Sequence, residues 1–178
     1  GDIVTLTGAA TSYAYGVNDT SILGAGSLTT TSNVSSALLG PNPLQTYYGG
    51  NKQQMLITAA ELQALGLTAS GSSITSIATY LVGRDATLLS NLTVRMQNTT
   101  LTALTTAQVT TGWTTVRNSA SFTTAVGVNN IALNTPFAWN GSNNLLIEIS
   151  YTNDNSGAGT PLNTASYDNT GYVSTWFY

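Results

Sequence analysis

The sequence predicts an all-β fold, an antiparallel β-sandwich of jelly-roll-like organisation with one short capped helix. Three observations predict it. Apolar residues recur with a period of two over several runs, the spacing of strands whose successive side chains point to opposite faces. The runs are separated by clusters of Asn, Ser, Asp and Gly, which tolerate left-handed backbone or bond to it through their side chains. One segment alone carries both helix-start and helix-stop signals. No repeat with a period of roughly 20–50 residues is evident, which argues against a solenoid or propeller. A chain of 178 residues is expected to form one β-sandwich domain over 16–178, preceded by an N-terminal β arm or edge strand over 1–15.

Residues 3–7, Ile-Val-Thr-Leu-Thr, are a short β-prone run that Gly8 ends. From Gly16 to Pro43 the chain mixes Gly, Ser, Thr and Asn with scattered Leu, Ile and Val, too polar for a buried helix and too long for an ordinary loop, so short irregular strands are expected. The helix is expected from Thr58 to Gly66. Thr58 can accept from the Glu61 amide while the Glu61 carboxylate reaches back to the Thr58 amide, a capping box, and Gly66 supplies the left-handed residue that stops the helix. Leu62 and Leu65 share one face, which would plug one end of a sheet.

Beyond Gly71 the period changes to two. Residues 74–81 are apolar on both faces, as in a strand at the centre of a sandwich. In residues 91–97, Leu92, Val94 and Met96 alternate with Thr93, Arg95 and Gln97, which marks a half-buried strand. Further β-rich runs lie at 113–116, 121–126, 130–133, 144–151 and 172–177, for eight or nine strands in total.

Composition restricts the chemistry. Charged residues make up 6% of the chain, and Cys and His are absent. Without imidazole there is no Ser-His-Asp or Cys-His nucleophile system, and without thiolate no cysteine zinc site. A net charge of −3, with Lys52, Arg84, Arg95 and Arg117 the four cations, cannot supply the basic surface that a phosphate backbone requires. Nucleic acid is not an expected partner. No apolar run approaches the roughly 20 residues that span a bilayer, so membrane insertion is not expected. The N-terminus, Gly1-Asp2-Ile3-Val4, has no signal-peptide pattern, as expected of a soluble chain already processed. A polar surface of Thr, Ser and Asn in place of Lys and Glu points to the cell exterior.

An ordered series of segments carries a resemblance. Met55-Leu56-Ile57-Thr58-Ala59-Ala60-Glu61-Leu62, Gly66-Leu67, Ile74-Thr75-Ser76-Ile77, Asn98-Thr99, Gly112-Trp113, Pro136-Phe137-Ala138-Trp139-Asn140-Gly141-Ser142 and Asn144-Leu145-Leu146-Ile147-Glu148 follow one another from about Pro43 to Asp154. Together they resemble a β-sandwich domain of large secreted and cell-surface proteins of Bacteroidota-type bacteria, often cargo of the gliding-associated secretion system. The Pro-Phe-Ala-Trp-Asn-Gly segment is the most specific part, and residues 1–42 match poorly. The resemblance implies an extracellular, non-catalytic module of adhesins or surface layers and transfers no catalytic residue. The chain departs from it in lacking Cys near the last strands and a sorting domain after Tyr178, as expected of a processed subunit or a piece of a longer protein.

Several constellations are candidates for a site. Glu61 and Glu148 are the carboxylates that a glycosidase-like pair would need, but Glu61 has a capping role, and Glu148 alternates with Leu145, Ile147 and Ile149 and so is expected to face outward. No catalytic residue and no cofactor are therefore expected. Asp154, Asn155 and Asp168, with Asn153 and Asn169, offer oxygen ligands for Ca²⁺, although turn chemistry accounts for the same residues. Tyr47, Tyr48 and Trp176 are candidates for stacking on sugar rings, with Tyr151, Tyr167 and Tyr172 as further aromatics. Core packing is expected of Trp113 and of Trp139 with Phe137. Asn-x-Ser/Thr triplets begin at Asn18, Asn33, Asn91, Asn98 and Asn140, as chance allows in so Asn- and Thr-rich a chain. The terminal β-runs, with Ile3, Val4 and Leu6 at one end and Trp176 and Phe177 at the other, suit strand addition between copies, because an open sheet edge templates a further strand. The expected function is that of an extracellular structural or adhesive subunit that joins copies of itself head to tail into a surface filament, or serves as a module of a large adhesin. The alternative is a carbohydrate-binding module of a secreted enzyme.

Overall fold

A computed structural model describes residues 42–67, 72–105, 107–154, 163–165, 170 and 172–177. Eight strands and one helix follow in the order β1 (Gly50–Ile57), α1 (Ala59–Ala64), β2 (Ser72–Gly83), β3 (Leu89–Thr99), β4 (Thr114–Phe122), β5 (Gly127–Trp139), β6 (Asn144–Thr152), β7 (Thr164–Ala165) and β8 (Thr175–Phe177). They form two antiparallel sheets, one of five strands in the order β4-β3-β6-β1-β8 and one of three in the order β5-β2-β7. The fold is all-β and sandwich-like. The pairings nest: β1 holds β8, β2 holds β7 and β3 holds β6. At the centre of the nest β4 meets β5 through side chains, with Arg117 Nη1 donating to the Ala132 carbonyl at 2.5 Å and the Asn118 amide donating to Asn134 Oδ1 at 2.8 Å. A long hairpin rolled up in this way is the logic of a jelly roll.

Alternation sends Met55 and Ile57 of β1, Leu92, Val94 and Met96 of β3, and Leu145, Ile147 and Ile149 of β6 into one core with Ile74, Ile77 and Leu81 of β2, Ile131 of β5 and the ring of Trp139. Burying each large aliphatic side chain contributes about 1.5–3 kcal/mol. Trp139 is fully buried, and its indole N–H donates to the Asn143 carbonyl at 2.7 Å across the β5–β6 turn. The helix plugs one end through Leu62 and Leu65. Its capping box is formed, with Thr58 Oγ1 accepting from the Glu61 amide at 3.2 Å and Glu61 Oε2 accepting from the Thr58 amide at 2.7 Å. Gly66, at φ 89°, takes the left-handed conformation that follows the last turn.

Several boundaries differ from the sequence reading, among them the run predicted at 113–116, which extends from Thr114 to Phe122 as β4, and that at 172–177, which is a strand over Thr175–Phe177. β1, a central strand of the larger sheet, lies in a stretch for which no strand is predicted, because Asn51, Lys52, Gln53 and Gln54 hide its alternation behind polar side chains. The predicted run at 121–126 is divided, residues 121–122 ending β4 and residues 123–126 turning towards β5. β5 is longer than the predicted 130–133 and contains Pro136. The proline is accommodated because β5 is an edge strand, and because the register steps from Ile74↔Phe137 to Ser76↔Ala132, leaving residues 133–136 in a bulge. The irregular strands expected from Gly16 to Pro43 and the arm at 1–15 lie outside the described residues, apart from Asn42 and Pro43.

Candidate functional site

The outer face of the larger sheet carries the chain's most concentrated polar chemistry. Cross-strand register aligns Thr115, Arg95, Glu148, Gln54 and Trp176 in one row on β4, β3, β6, β1 and β8. As alternation predicts, Glu148 points away from the main core, yet it is only 1% exposed. The outward exposure expected for it is corrected by its cover, the β3–β4 connection, which folds back across this face as a strap. Gln54 grips the strap through both backbone groups of one residue, its Nε2 donating to the Val109 carbonyl at 2.7 Å and its Oε1 accepting from the Val109 amide at 3.0 Å. Gln97 Nε2 donates to the Thr111 carbonyl at 3.0 Å, and the Trp113 indole N–H donates to the Val109 carbonyl at 3.2 Å. Leu104 on the strap joins Leu56 and Leu146 of the sheet in a second apolar cluster, with Trp113, Tyr172 and Trp176 packed around it.

Beneath the strap the Glu148 carboxylate is fully engaged. Arg95 Nε and Nη2 reach Oε1 at 2.9 and 2.5 Å, Gln54 Nε2 reaches Oε2 at 2.8 Å, and Gln108 Nε2 reaches the same oxygen at 3.4 Å. Arg95 is in turn covered by the Trp113 ring, 5.2 Å from its centroid. Glu61 is held through Oε2, which accepts from the Thr58 amide and hydroxyl, each at 2.7 Å, and from the Tyr172 hydroxyl at 2.7 Å. Both carboxylates are held by partners of their own. Burial first, and then the hydrogen bond to Glu61, raises the Tyr172 phenol above the usual tyrosine range.

A second polar assembly pins the segment at 42–46 between the sheets. Asn163 donates through Nδ2 to the Leu44 carbonyl at 2.8 Å and accepts through Oδ1 from the Asp85 amide at 3.0 Å. Asn42 Nδ2 donates to the Asn163 carbonyl at 2.8 Å, Thr46 Oγ1 donates to Asp85, and Tyr151 donates to the Gln45 carbonyl. Burial pushes the Tyr151 phenol well above its ordinary range. Next to this clip is a small gap in the core, with room for about one water, lined by the buried residues Pro43, Met55, Ile77, Ala78, Thr79, Ile131, Ile147 and Ile149. Thr79 is 3% exposed and its Oγ1 has no hydrogen-bond partner. Gln53, 1% exposed, shares the face of β1 with Met55 and pairs across from Ile149, and its Nε2 is also without a partner.

The predicted site residues are dispersed. Tyr47 and Tyr48 precede β1 and meet edge to face at 4.7 Å between centroids, with Tyr48 exposed. Trp176 lies opposite Gln54 along the same strand and packs into the second cluster, so it does not extend the tyrosine pair into one row. Trp113, expected to start a strand and cover the sandwich end, instead precedes β4 and sits on the sheet's outer face. Trp176 and Phe177 belong to β8, the edge strand of their own sheet, paired to β1 at Gln53, Gln54 and Met55. Asp154 is exposed, while Asn155 and Asp168 lie outside the described residues. Among those residues no group of three acidic, His or Cys side chains could hold a metal ion. Ile3, Val4, Leu6, Asn18, Asn33, Tyr167 and Asn169 also lie outside them. Residue types alone did not reveal the strap or the core gap, because each depends on which strands are neighbours. Comparisons with known protein families, with curated proteins and with solved structures find no match.

Proposed function

We propose that this chain is an extracellular structural subunit that joins copies of itself head to tail into a surface filament, its N-terminal run at Ile3, Val4 and Leu6 adding a strand to the next copy. The observation that carries this reading is that, among the described residues, the two long sides of the sandwich are closed unequally. On the β4–β5 side the sheets are tied by Arg117 and Asn118, whereas on the other side the edge strands are short. β8 pairs with β1 over three residues, and β7 meets β2 at Leu81 and Gly83 among the described residues. β1 runs from Gly50 to Ile57 but pairs with β8 only at Gln53, Gln54 and Met55 among the described residues, and strand edge left unpaired presents N–H and C=O groups to which a further strand can add. A head-to-tail interface, unlike a two-fold one, extends into an open filament where its rotation does not close a ring. Low charge favours such contacts, since burying Thr, Ser and Asn with hydrogen bonds costs less desolvation than burying Lys or Glu. The resemblance to Bacteroidota-type surface domains points the same way.

Deleting residues 1–8 tests the reading. The truncated chain is expected to keep its β-rich circular dichroism and to sediment as a monomer under conditions where the full chain assembles. Assembly of the truncated chain equal to that of the full chain would refute the arm as connector. A carbohydrate-binding module is the second reading, favoured by Tyr48, exposed at 52%. It predicts glycan-array binding that Tyr48→Ala abolishes.

A further inference from the structure

We propose that the unpaired edge of β1 at residues 50–52 is the acceptor for this arm, and that a second copy lays residues 2–6 along it, antiparallel, with Asp2 opposite Lys52 and Val4 opposite Gly50. The inference rests on the head-to-tail reading and adds the place and register of contact. Its first support is backbone geometry. The Leu56 amide donates to the Ser174 carbonyl on the β8 side at 2.7 Å, and the Gly49 carbonyl accepts from the Asn153 amide on the β6 side at 3.0 Å. Successive residues of a paired strand turn their backbone groups to opposite sides, so Gln54, Lys52 and Gly50 turn theirs to the β8 side. Trp176 stands opposite Gln54, but opposite Lys52 and Gly50 no described residue is paired. A further strand would satisfy these amides and carbonyls whatever its side chains, which is how strand addition obtains its affinity.

The second support is charge complementarity. Lys52 lies on this edge, half-buried, and among the described residues it has no ion pair. Asp2 is the one charged side chain in residues 1–8. Opposite charges directly across a strand pair attract and like charges repel, which selects the register with Asp2 at Lys52. In that register Ile3, Val4, Thr5 and Leu6 follow towards the start of β1, and none of them carries an ionised side chain that would need desolvating. The exposed ring of Tyr48, two residues before Gly50, offers apolar surface where Leu6 would come to lie.

The third support is reach. Asn42 is fixed beside β1, its carbonyl accepting from Asn51 Nδ2 at 3.4 Å, so the chain that carries the arm enters the described body close to this edge. Fully extended, the stretch from Leu6 to Asn42 spans at most about 130 Å, while a domain of this size has a radius of gyration of about 14–16 Å. The edge of an adjacent copy is well within range.

The chain has no cysteine, which permits a clean cross-linking test on the full chain. Two single variants, Asp2→Cys and Lys52→Cys, are mixed under assembly conditions and oxidised. Residues opposite each other in a hydrogen-bonded antiparallel pair have Cα atoms about 5.5 Å apart, inside the roughly 4.4–6.8 Å that a disulfide needs. The expected main product is a covalent dimer with one chain of each kind, while Thr115→Cys, exposed on the β4 edge of the same sheet, gives none with Asp2→Cys. Charge reversal supplies an independent readout. Asp2→Lys and Lys52→Asp should each raise the protein concentration at which fibres appear by about two- to fivefold, the size of one cross-strand charge pair, and the double reversal should restore it. Fibres that form without the cross-link to Lys52→Cys, or with equal cross-linking to Thr115→Cys, would overturn this edge as acceptor and leave the filament reading standing. A double reversal no better than either single one would overturn the register. An Asp2→Cys/Lys52→Cys double variant that closes only within its own chain would overturn the second copy as occupant. Absence of fibres from the unsubstituted chain at every concentration would remove the filament reading itself, and this acceptor with it.

Discussion

Arg95 and Glu148 show how one residue pair secures the outer face of a sheet. Glu148 is fully buried and Arg95 keeps 29% of its side chain exposed, so the two do not respond alike to loss of the partner. Removing one member of a buried pair leaves an uncompensated charge and costs about 3–5 kcal/mol, whereas replacing both by apolar residues is often neutral. Arg95→Met is therefore expected to lower the urea-derived unfolding free energy by about 3–5 kcal/mol, and Arg95→Met/Glu148→Leu to recover most of that loss. Equal losses in the single and double variants would contradict the ion-pair account. The phenols define a second residue-scale expectation. Tyr151 and Tyr172 titrate above the usual value in the fold, while in the unfolded chain they ionise near pH 10. Above about pH 10 the unfolded chain therefore binds fewer protons than the folded one, and stability falls as pH rises. The contribution is complete below that pH and lost above it. Tyr151→Phe should flatten the decline seen in alkaline denaturation between pH 9 and pH 11 (about one unit either side of the reference value); an unchanged slope would assign it elsewhere.

At the scale of elements, the strap is the part of the fold that sequence patterning conceals. Alternation correctly sets Arg95, Gln97 and Glu148 opposite the core residues of their strands, but it is silent on what returns to cover them. The cover depends on β1, β3 and β6 being neighbours, a fact of topology. β1 is itself obscured for a related reason. Gln53 and Gln54 read as surface residues, yet both are buried, Gln54 beneath the strap, where it bonds the amide and the carbonyl of Val109. The helix is legible because its signals are local: Thr58, Glu61 and Gly66 act within a few residues of one another. Thr58→Ala is expected to cost about 0.5–2 kcal/mol, and somewhat more if Tyr172 loses its hold on Glu61, measurable by chemical denaturation. Gly112 probes the strap. It lies at φ 84°, and a Cβ there would stand 2.7 Å from Gln97 Oε1. Gly112→Ala should strain the backbone by about 1–2 kcal/mol and displace the Gln97 side chain from Thr111. Faster hydrogen exchange at the Val109 amide, with the β6 amides unchanged, is the expected signature; unchanged exchange at Val109 would contradict the strap as an independently held element.

At the scale of the molecule, the two sheets close unequally among the described residues, and the function proposed rests on that inequality. One long side is tied at β4 and β5. The other has short edges, β8 pairing with β1 over three residues and β7 with β2 at Leu81 and Gly83. Class and core were readable in advance, since period-two runs at 74–81, 91–97 and 144–151 became β2, β3 and β6. The clip was not, because Asn42, Asn163 and Asp85 are far apart along the chain and resemble ordinary turn residues until the fold brings them together. Electron microscopy of the undenatured chain tests the central claim most directly. The account predicts uniform fibres with an axial repeat of one sandwich, absent after deletion of residues 1–8. A monodisperse population of single chains at every concentration would contradict it.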